Sequence, residues 1–336
     1  MLRKTVFAIG LLAATPHLHA QDAPAFAARS VTVLIAFEPG GSYDVYGRLV
    51  ARFLGAHLPG KPNVIVQNMP GAGGLIGANN LYEVAARDGS VVGEISQTAA
   101  IGQALSTPGV RYDVRKFNWV GRMTSNVQLM HSWKTANGKN MDDALKMEII
   151  VAGTGPTSSS VVFPKIMNDL LGTKFRVVPG FQGAASATLA MERREVDAVV
   201  RPWSEIKARN PDWVRDGVIH PLVQFSLSRH PDLPKIPAVV DLARDERQRQ
   251  LLSLFASGSD VGNALVLPPN TPASIVATYR KAFQETMSDP QLIDEARRLV
   301  LEADWIDGEK LQKLTESVFD VSPDVIERAK VYNSGQ

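Results

Sequence analysis

The sequence predicts an α/β fold in which short strands alternate with helices in two successive units. Three observations predict it: β-branched apolar runs of strand length, glycine-rich turns at their ends, and helical-period apolar stripes after those turns. Such alternation builds parallel, doubly wound sheets whose ligands sit at the carboxyl ends of the strands. A chain of 336 residues with 45% hydrophobic and 21% charged composition can bury a large core and divide into two domains.

The run VTVLIAF at residues 31–37 suits a buried strand and stops at Pro39-Gly40-Gly41. Residues 44–58 then read as a helix, with Val45, Leu49, Phe53 and Ala56 on one face. NVIVQN (63–68) is the next strand, followed by PGAGG and a helix whose Leu75, Ala78, Tyr82 and Ala85 share a face; VVGEIS (91–96) is a third strand. The pattern resumes with EIIVAG (148–153), a helix around Ile166 to Leu171, FRVVPG (175–180), a helix through Leu189, and DAVV (197–200). After LVQFSL (222–227) and the prolines 231, 234 and 237, the chain is mainly helical. Thr271-Pro272, Asp289-Pro290 and Ser322-Pro323 each read as a capping side chain before a proline at the first helical position. Ile275, Tyr279, Phe283 and Met287 then form a core face, and MERRE (191–195) reads as a solvated helix end.

The first twenty residues carry Arg3 and Lys4, an apolar run from Val6 to Ala14, and a stretch ending in Ala20, the pattern of a secretory signal cleaved near that alanine. The apolar run is shorter than the roughly 20 residues that a bilayer span needs. Cysteine is absent, which excludes disulfides, thiolate metal sites and a cysteine-borne lipid anchor. Without Arg3 and Lys4, the 36 basic residues fall to parity with the 34 acidic ones, so no broad basic field points to nucleic acid.

Chemistry-bearing motifs are missing. The histidines beyond the leader, His57, His131, His220 and His230, lack the short spacing by which one helix or loop supplies two metal ligands. No G-x-S-x-G appears. GAHLPGKP (55–62) imitates a phosphate loop but has Pro62 at the hydroxyl position and leads from helix into strand. GAGGLIG (71–77) places its last glycine one position late for a dinucleotide fingerprint. What remains is glycine loops at helix starts, where unpaired N–H groups and the helix dipole favour an anion. No enzyme, cofactor or metal is expected.

The ordered set IAFEPGGSYDVYGRLVARFLG, VQNMPGAGGLIGANN, ARDGS, VPGFQGAASATLAMERREVDAV, RHPDLPKIPAV and PPNTPASIVATYRKAF resembles the substrate-binding proteins of tripartite tricarboxylate transporters, the Bug family, along nearly the whole chain after the leader. The resemblance implies a type II periplasmic-binding-protein fold of two Rossmann-like lobes joined by a two-strand hinge. Lobe 1 would comprise residues 29–126 plus 225–336 and lobe 2 residues 127–224, with hinge strands near Val127 to Met130 and Leu222 to Gln224. It further implies a periplasmic protein that closes over a small carboxylate: a di- or tricarboxylate, an acidic amino acid or an aromatic acid. Its partner would be a membrane permease; a histidine-kinase ectodomain, or an enzyme on the same scaffold, are the alternatives.

The ligand's carboxylate would lie between two loops. Gly40, Gly41, Ser42 and Asp44 supply the first; Asp44 either orients this loop or caps the helix. GTGPTSSS (153–160) supplies the second through Thr157, Ser158 and Ser159, ahead of a helix whose first turn contains Pro164. The histidine that many members carry shortly after this loop is replaced by Ser160-Val161-Val162. Gln97 and Thr98 line the cleft or form a surface turn, and Gln182 and Gly183 belong to the V-P-Y-x-G-like segment. Arg201 is either a bidentate carboxylate clamp or a structural arginine, with Trp203 beside it as an aromatic wall.

Overall fold

The computed structural model describes residues 30–154, 158–181 and 183–333. The expected leader at 1–20 and the predicted site residues Thr157 and Gln182 lie outside the described residues.

In chain order the first strands and helices are β1 (Val31–Ile35), α1 (Ser42–His57), β2 (Val64–Asn68), α2 (Leu75–Glu83), β3 (Val91–Glu94), α3 (Ala99–Ala104) and β4 (Asn118–Thr124). There follow β5 (Gln128–Trp133), α4 (Met141–Lys146), β6 (Ile149–Gly153), α5 (Ser159–Leu171), β7 (Phe175–Pro179), α6 (Ala184–Glu192), β8 (Ala198–Pro202), α7 (Trp203–Arg209) and β9 (Ile219–Phe225). The last stretch holds α8 (Glu246–Ala256), α9 (Gly258–Val261), β10 (Asn263–Leu267), α10 (Ala273–Met287), α11 (Pro290–Arg298), β11 (Ile306–Asp307), α12 (Gly308–Ser317) and α13 (Pro323–Asn333).

These strands form two sheets, one ordered β11-β4-β10-β3-β1-β2 and the other β7-β6-β8-β5-β9. The fold is thus the expected two-unit α/β architecture, but the sheets are mixed rather than wholly parallel. β1 pairs in parallel with β2 and β3, and β6 with β7 and β8, whereas β10 runs antiparallel to β3 and β4, and β5 antiparallel to β8 and β9. Parallel neighbours need a crossover of a dozen or more residues. β4 instead passes directly into β5 through residues 125–127, and β10 enters from the far end of the chain, so neither is bound to the parallel order. Residues 127–130 and 222–224, where the hinge was expected, lie along β5 and β9, adjacent strands of the second sheet.

One core lies between the first sheet, α1 and α10, where Ile275, Tyr279, Phe283 and Met287 are buried as their spacing predicts. The opposite face of that sheet merges, through α8, α12 and α13, with the core around α5 of the second. A third cluster joins Leu129, Val199, Ile206 and Trp203 to Leu233 and Ile236 of the segment after β9.

Three local expectations are corrected. The buried stripe of α1 is Tyr46, Leu49, Val50 and Leu54, while Ala56 is exposed. Tyr46 turns inward with Leu49, Val50 and Leu54, and its hydroxyl accepts a hydrogen bond from the Glu302 N–H, 3.0 Å away. Asp289 does cap α11, accepting from Gln291 N–H, but the Thr271 hydroxyl donates back to the Pro268 carbonyl and α10 starts after Pro272. Pro164 lies inside α5 rather than in its first turn, because the Val161 and Val162 N–H groups already bond to Ser158 and start the helix there.

Gly77, the glycine that falls late for a dinucleotide fingerprint, has a packing role. A Cβ there would lie 2.7 Å from Ala36 Cβ and 2.8 Å from Ala36 Cα, so α2 reaches the end of β1 only because the side chain is missing. Gly77→Ala should therefore destabilise the protein by about 1–3 kcal/mol in urea unfolding, whereas an unchanged midpoint would show that the helix shifts freely.

Candidate functional site

The loop between β1 and α1 is organised by the Asp44 carboxylate. It accepts from Gly40 N–H at 2.9 Å, Asn68 Nδ2 at 2.8 Å and Arg48 Nε at 2.9 Å, tying together loop, helix and the end of β2. Burial pushes its pKa up, but the hydrogen bonds from Arg48, Asn68 and Gly40 outweigh that and hold it below the usual carboxylate value. Gly40 has φ 89°, a left-handed conformation that glycine adopts without penalty. The first N–H groups of the sixteen-residue α1 have no intrahelical partner and point out of the loop with the positive end of the helix dipole. Ser42 Oγ accepts from Asn263 Nδ2 of β10 at 3.0 Å.

A cavity of about 220 Å³ opens at this loop, lined by Gly40, Gly41, Ser42, Val45 and Tyr46, by Ser204, Glu205, Ala208 and Arg209 of α7, and by Leu299 and Leu301. Arg209 Nη2 donates to the Gly40 carbonyl at 2.8 Å, so α7, which follows the second sheet, reaches the first loop of the first. Arg201, Glu205 and Arg209 form a run at fourfold spacing: Arg201 lies 3.0 Å and Arg209 3.9 Å from Glu205.

Beside the cavity, a charged cluster joins the same two parts. Lys207 Nζ lies 2.5 Å from Asp232 and 2.8 Å from Glu302, and His230 Nε2 is 3.3 Å from Glu302. His230 Nδ1 accepts from the Asp232 N–H, which leaves Nε2 to donate to Glu302. His230, Asp232 and Glu302 have the spacing of a cation site, but the Lys207 ammonium already takes that place. Burial raises the Glu302 pKa and the hydrogen bonds from His230 and Lys207 more than reverse it; Asp232 is likewise lowered against burial by Lys207 and Trp203.

Under α1, Glu94 is fully buried and neither of its carboxyl oxygens has a partner among the described residues. Burial, and secondarily the Asp44 charge, raise its pKa well above the ordinary value. Gly47 makes room for it, since a Cβ there would fall 2.6 Å from Glu94 Oε2.

Of the predicted residues, Gly40, Gly41 and Ser42 line the cavity, and Asp44 stands behind them as the loop's organiser. Gln97 is buried with its N–H donating to Tyr43 Oη at 3.0 Å, and exposed Thr98 bonds Ser96 at 2.9 Å. Ser158 and Ser159 start α5; the Ser158 hydroxyl lies 2.8 Å from Ser160 Oγ, which accepts from Thr154 N–H at 3.0 Å. Gly183 precedes α6. None of these five lines the cavity, and Arg201 is buried behind Glu205, with Trp203 in the core. Sequence reasoning missed Arg209, Glu205 and Ser160. The fourfold repeat of charges at 201, 205 and 209 is the signal that points to the first two.

A family described as the tripartite tricarboxylate transporter family receptor matches residues 48–330. The chain belongs to that family. Curated relatives include a UPF0065 protein of Agrobacterium vitis, 28% identical over 284 residues (82% of this chain, 76% of the relative). BugT of Bordetella pertussis is 26% identical over 298 residues, 85% of each chain. Among solved structures, MatC from Rhodopseudomonas palustris with bound malate is similar at TM-score 0.66 and 23% identity, covering 90% of this chain and 100% of that one. An R. palustris protein with adipate gives TM-score 0.68 at 18% identity, covering 90% and 97%. This tripartite tricarboxylate transporter receptor is therefore a solute-binding protein of the Bug type, with the two-sheet architecture of periplasmic binding proteins.

A carboxyl group with a raised folded pKa favours folding fully below its unfolded value and loses that contribution as pH rises toward the folded one. Glu94 should thus erode stability above pH 4.5, by up to about 1.4 kcal/mol per pH unit. Glu94→Gln should remove this slope, so that its thermal midpoint gains on the parent between pH 5 and 8; parallel pH profiles would show that Glu94 is not the cause.

Glu302 and Asp232 have the opposite sign: their pairing with Lys207 is present above the ordinary carboxylate pKa values and lost only as pH falls through the lower folded ones. Lys207→Ala should accordingly open the ligand-free protein at neutral pH, seen as a larger radius of gyration in X-ray scattering. An unchanged radius would mean that the cluster does not hold the two parts together.

Proposed function

We propose that this receptor captures a small carboxylate in the periplasm and delivers it to a tripartite tricarboxylate-type membrane permease. The observation that carries the reading is the cavity at the start of α1, where free N–H groups, a helix dipole and the Arg209 guanidinium of α7 converge across the cleft. Such a site stabilises an anion through fixed dipoles and charge-assisted hydrogen bonds. The malate and adipate carried by two proteins of the same fold support this chemistry, and the signal-like leader supports export.

In this reading the ligand binds the open cleft through Gly41 and Ser42. It meets α7 only when the lobes, residues 29–126 plus 225–336 and residues 127–224, approach one another, and is thereby selected with the closed state. That closed form is the one the permease engages. The Ser158 and Ser159 loop, Gln97, Thr98 and Gly183 form the outer rim that completes the seat on closure.

The test is a carboxylic-acid panel on protein stripped of ligand by unfolding and refolding, read by thermal shift and calorimetry. A saturable rise in melting temperature without conversion of the acid is expected, because binding to the folded state must stabilise it. Ser42→Trp should abolish the shift, and Ser158→Trp should weaken it. If the refolded protein binds no acid, the carboxylate reading fails; if only Ser158→Trp is silent, the second loop is not part of the seat.

A further inference from the structure

We infer that the cavity selects a carboxylic acid with one negative charge and an apolar body, such as an arylacetic or medium-chain aliphatic acid, with Arg209 clamping its carboxylate and Glu205 excluding a second one. This rests on the receptor reading above and names the ligand class for that same site.

The charge count comes first. Among the described lining residues the only charged side chains are Arg209 and Glu205. Glu205 is paired at 3.0 Å with Arg201, whose side chain is 5% exposed. Arg201, Glu205 and Arg209 together carry one net positive charge, which matches one carboxylate. Arg209 is the exposed member: its side chain is 56% exposed, and a hydrogen bond to the Gly40 carbonyl holds it beside the start of α1. Its guanidinium and the start of α1 thus line the same cavity. The Gly40 N–H is not open to a ligand, because Asp44 takes it.

Apart from the Ser42 and Ser204 hydroxyls and the Gly40–Gly41 backbone, the rest of the lining is apolar. Val45, Ala208, Leu299, Leu301 and the ring of Tyr46 supply no charged partner for a second or third carboxylate, and Glu205 is the one anionic side chain among the described lining residues. A charge enclosed without a partner costs several kcal/mol, whereas a hydrocarbon body gains from covering these side chains. Leu299, at the cavity rim, is 41% exposed. Between Leu299 and Leu301, Val300 adopts φ 56°, a conformation that costs a β-branched residue. A backbone held there directs both leucines to the same cavity. At about 220 Å³ the space also falls below the range of about 300–1,000 Å³ usual for larger ligands.

Phenylacetate, hexanoate, malate and citrate, titrated calorimetrically into the ligand-stripped protein, test this. Phenylacetate or hexanoate should bind at least about tenfold more tightly than malate and citrate. Arg209→Ala should weaken the preferred acid by about tenfold or more, the loss of a charge-assisted contact, with partial recovery in Arg209→Lys. Glu205→Gln should narrow the preference for hexanoate over malate by about threefold or more, because the charge set against a second carboxylate is gone; an unchanged ratio would overturn the role given to Glu205. Tighter binding of malate or citrate by the parent protein, or parent-like affinity in Arg209→Ala, would overturn the inference and leave the carboxylate receptor standing. Failure of all four acids to bind would instead overturn the receptor reading itself.

Discussion

The Asp44 carboxylate is the constraint on which the site depends. By taking the Gly40 N–H, the Asn68 amide and the Arg48 guanidinium at once, it pins the loop after β1 to the end of β2 and fixes where α1 begins. A carboxylate beside a helix start is compatible with a second anion only if its charge is spent, and here three donors spend it. The N–H groups one turn away are then left free in a rigid frame, which is how a helix start acquires affinity without a cationic side chain of its own. Glu94, one layer deeper, poses the same problem differently, since it has no donor among the described residues and burial raises its pKa well above the ordinary value.

Much of the fold could be read along the chain because strands of β-branched residues and helices with one apolar face are local patterns. α10 is the clearest case, with all four predicted positions buried. The pairing order was not local. That β10 separates β3 from β4 depends on contacts between residues more than a hundred positions apart, and that β5 runs antiparallel to its neighbours depends on partners well beyond any local window. The inward side of α1 likewise has a partner far along the chain, the Glu302 N–H that bonds the Tyr46 hydroxyl.

The candidate site divides in the same way. Gly40, Gly41 and Ser42 could be placed from the glycine loop, since a strand, a tight turn and a helix start must put N–H groups there. Arg209 and Glu205 could not, because which face of α7 meets that loop follows from how the two sheets sit against each other. Of its two readings, Arg201 is the structural arginine: its side chain pairs with Glu205, and Arg209, eight residues on, reaches the first loop. The serines of the 153–160 loop bond among themselves around Ser160, an arrangement that a run of hydroxyls does not reveal.

The position of β10 bears on how the chain acquires its structure. It is an interior strand of the first sheet, paired on one side with β3 and on the other with β4, so until residues 263–267 arrive that sheet is two separate fragments with open edges. The second sheet has no such dependence, since β5 to β9 are contiguous in sequence. Closing the longer loop costs more entropy before any contact repays it. The second sheet can therefore form first and serve as the template on which the earlier-synthesised half is completed last, with open strand edges exposed in the interval.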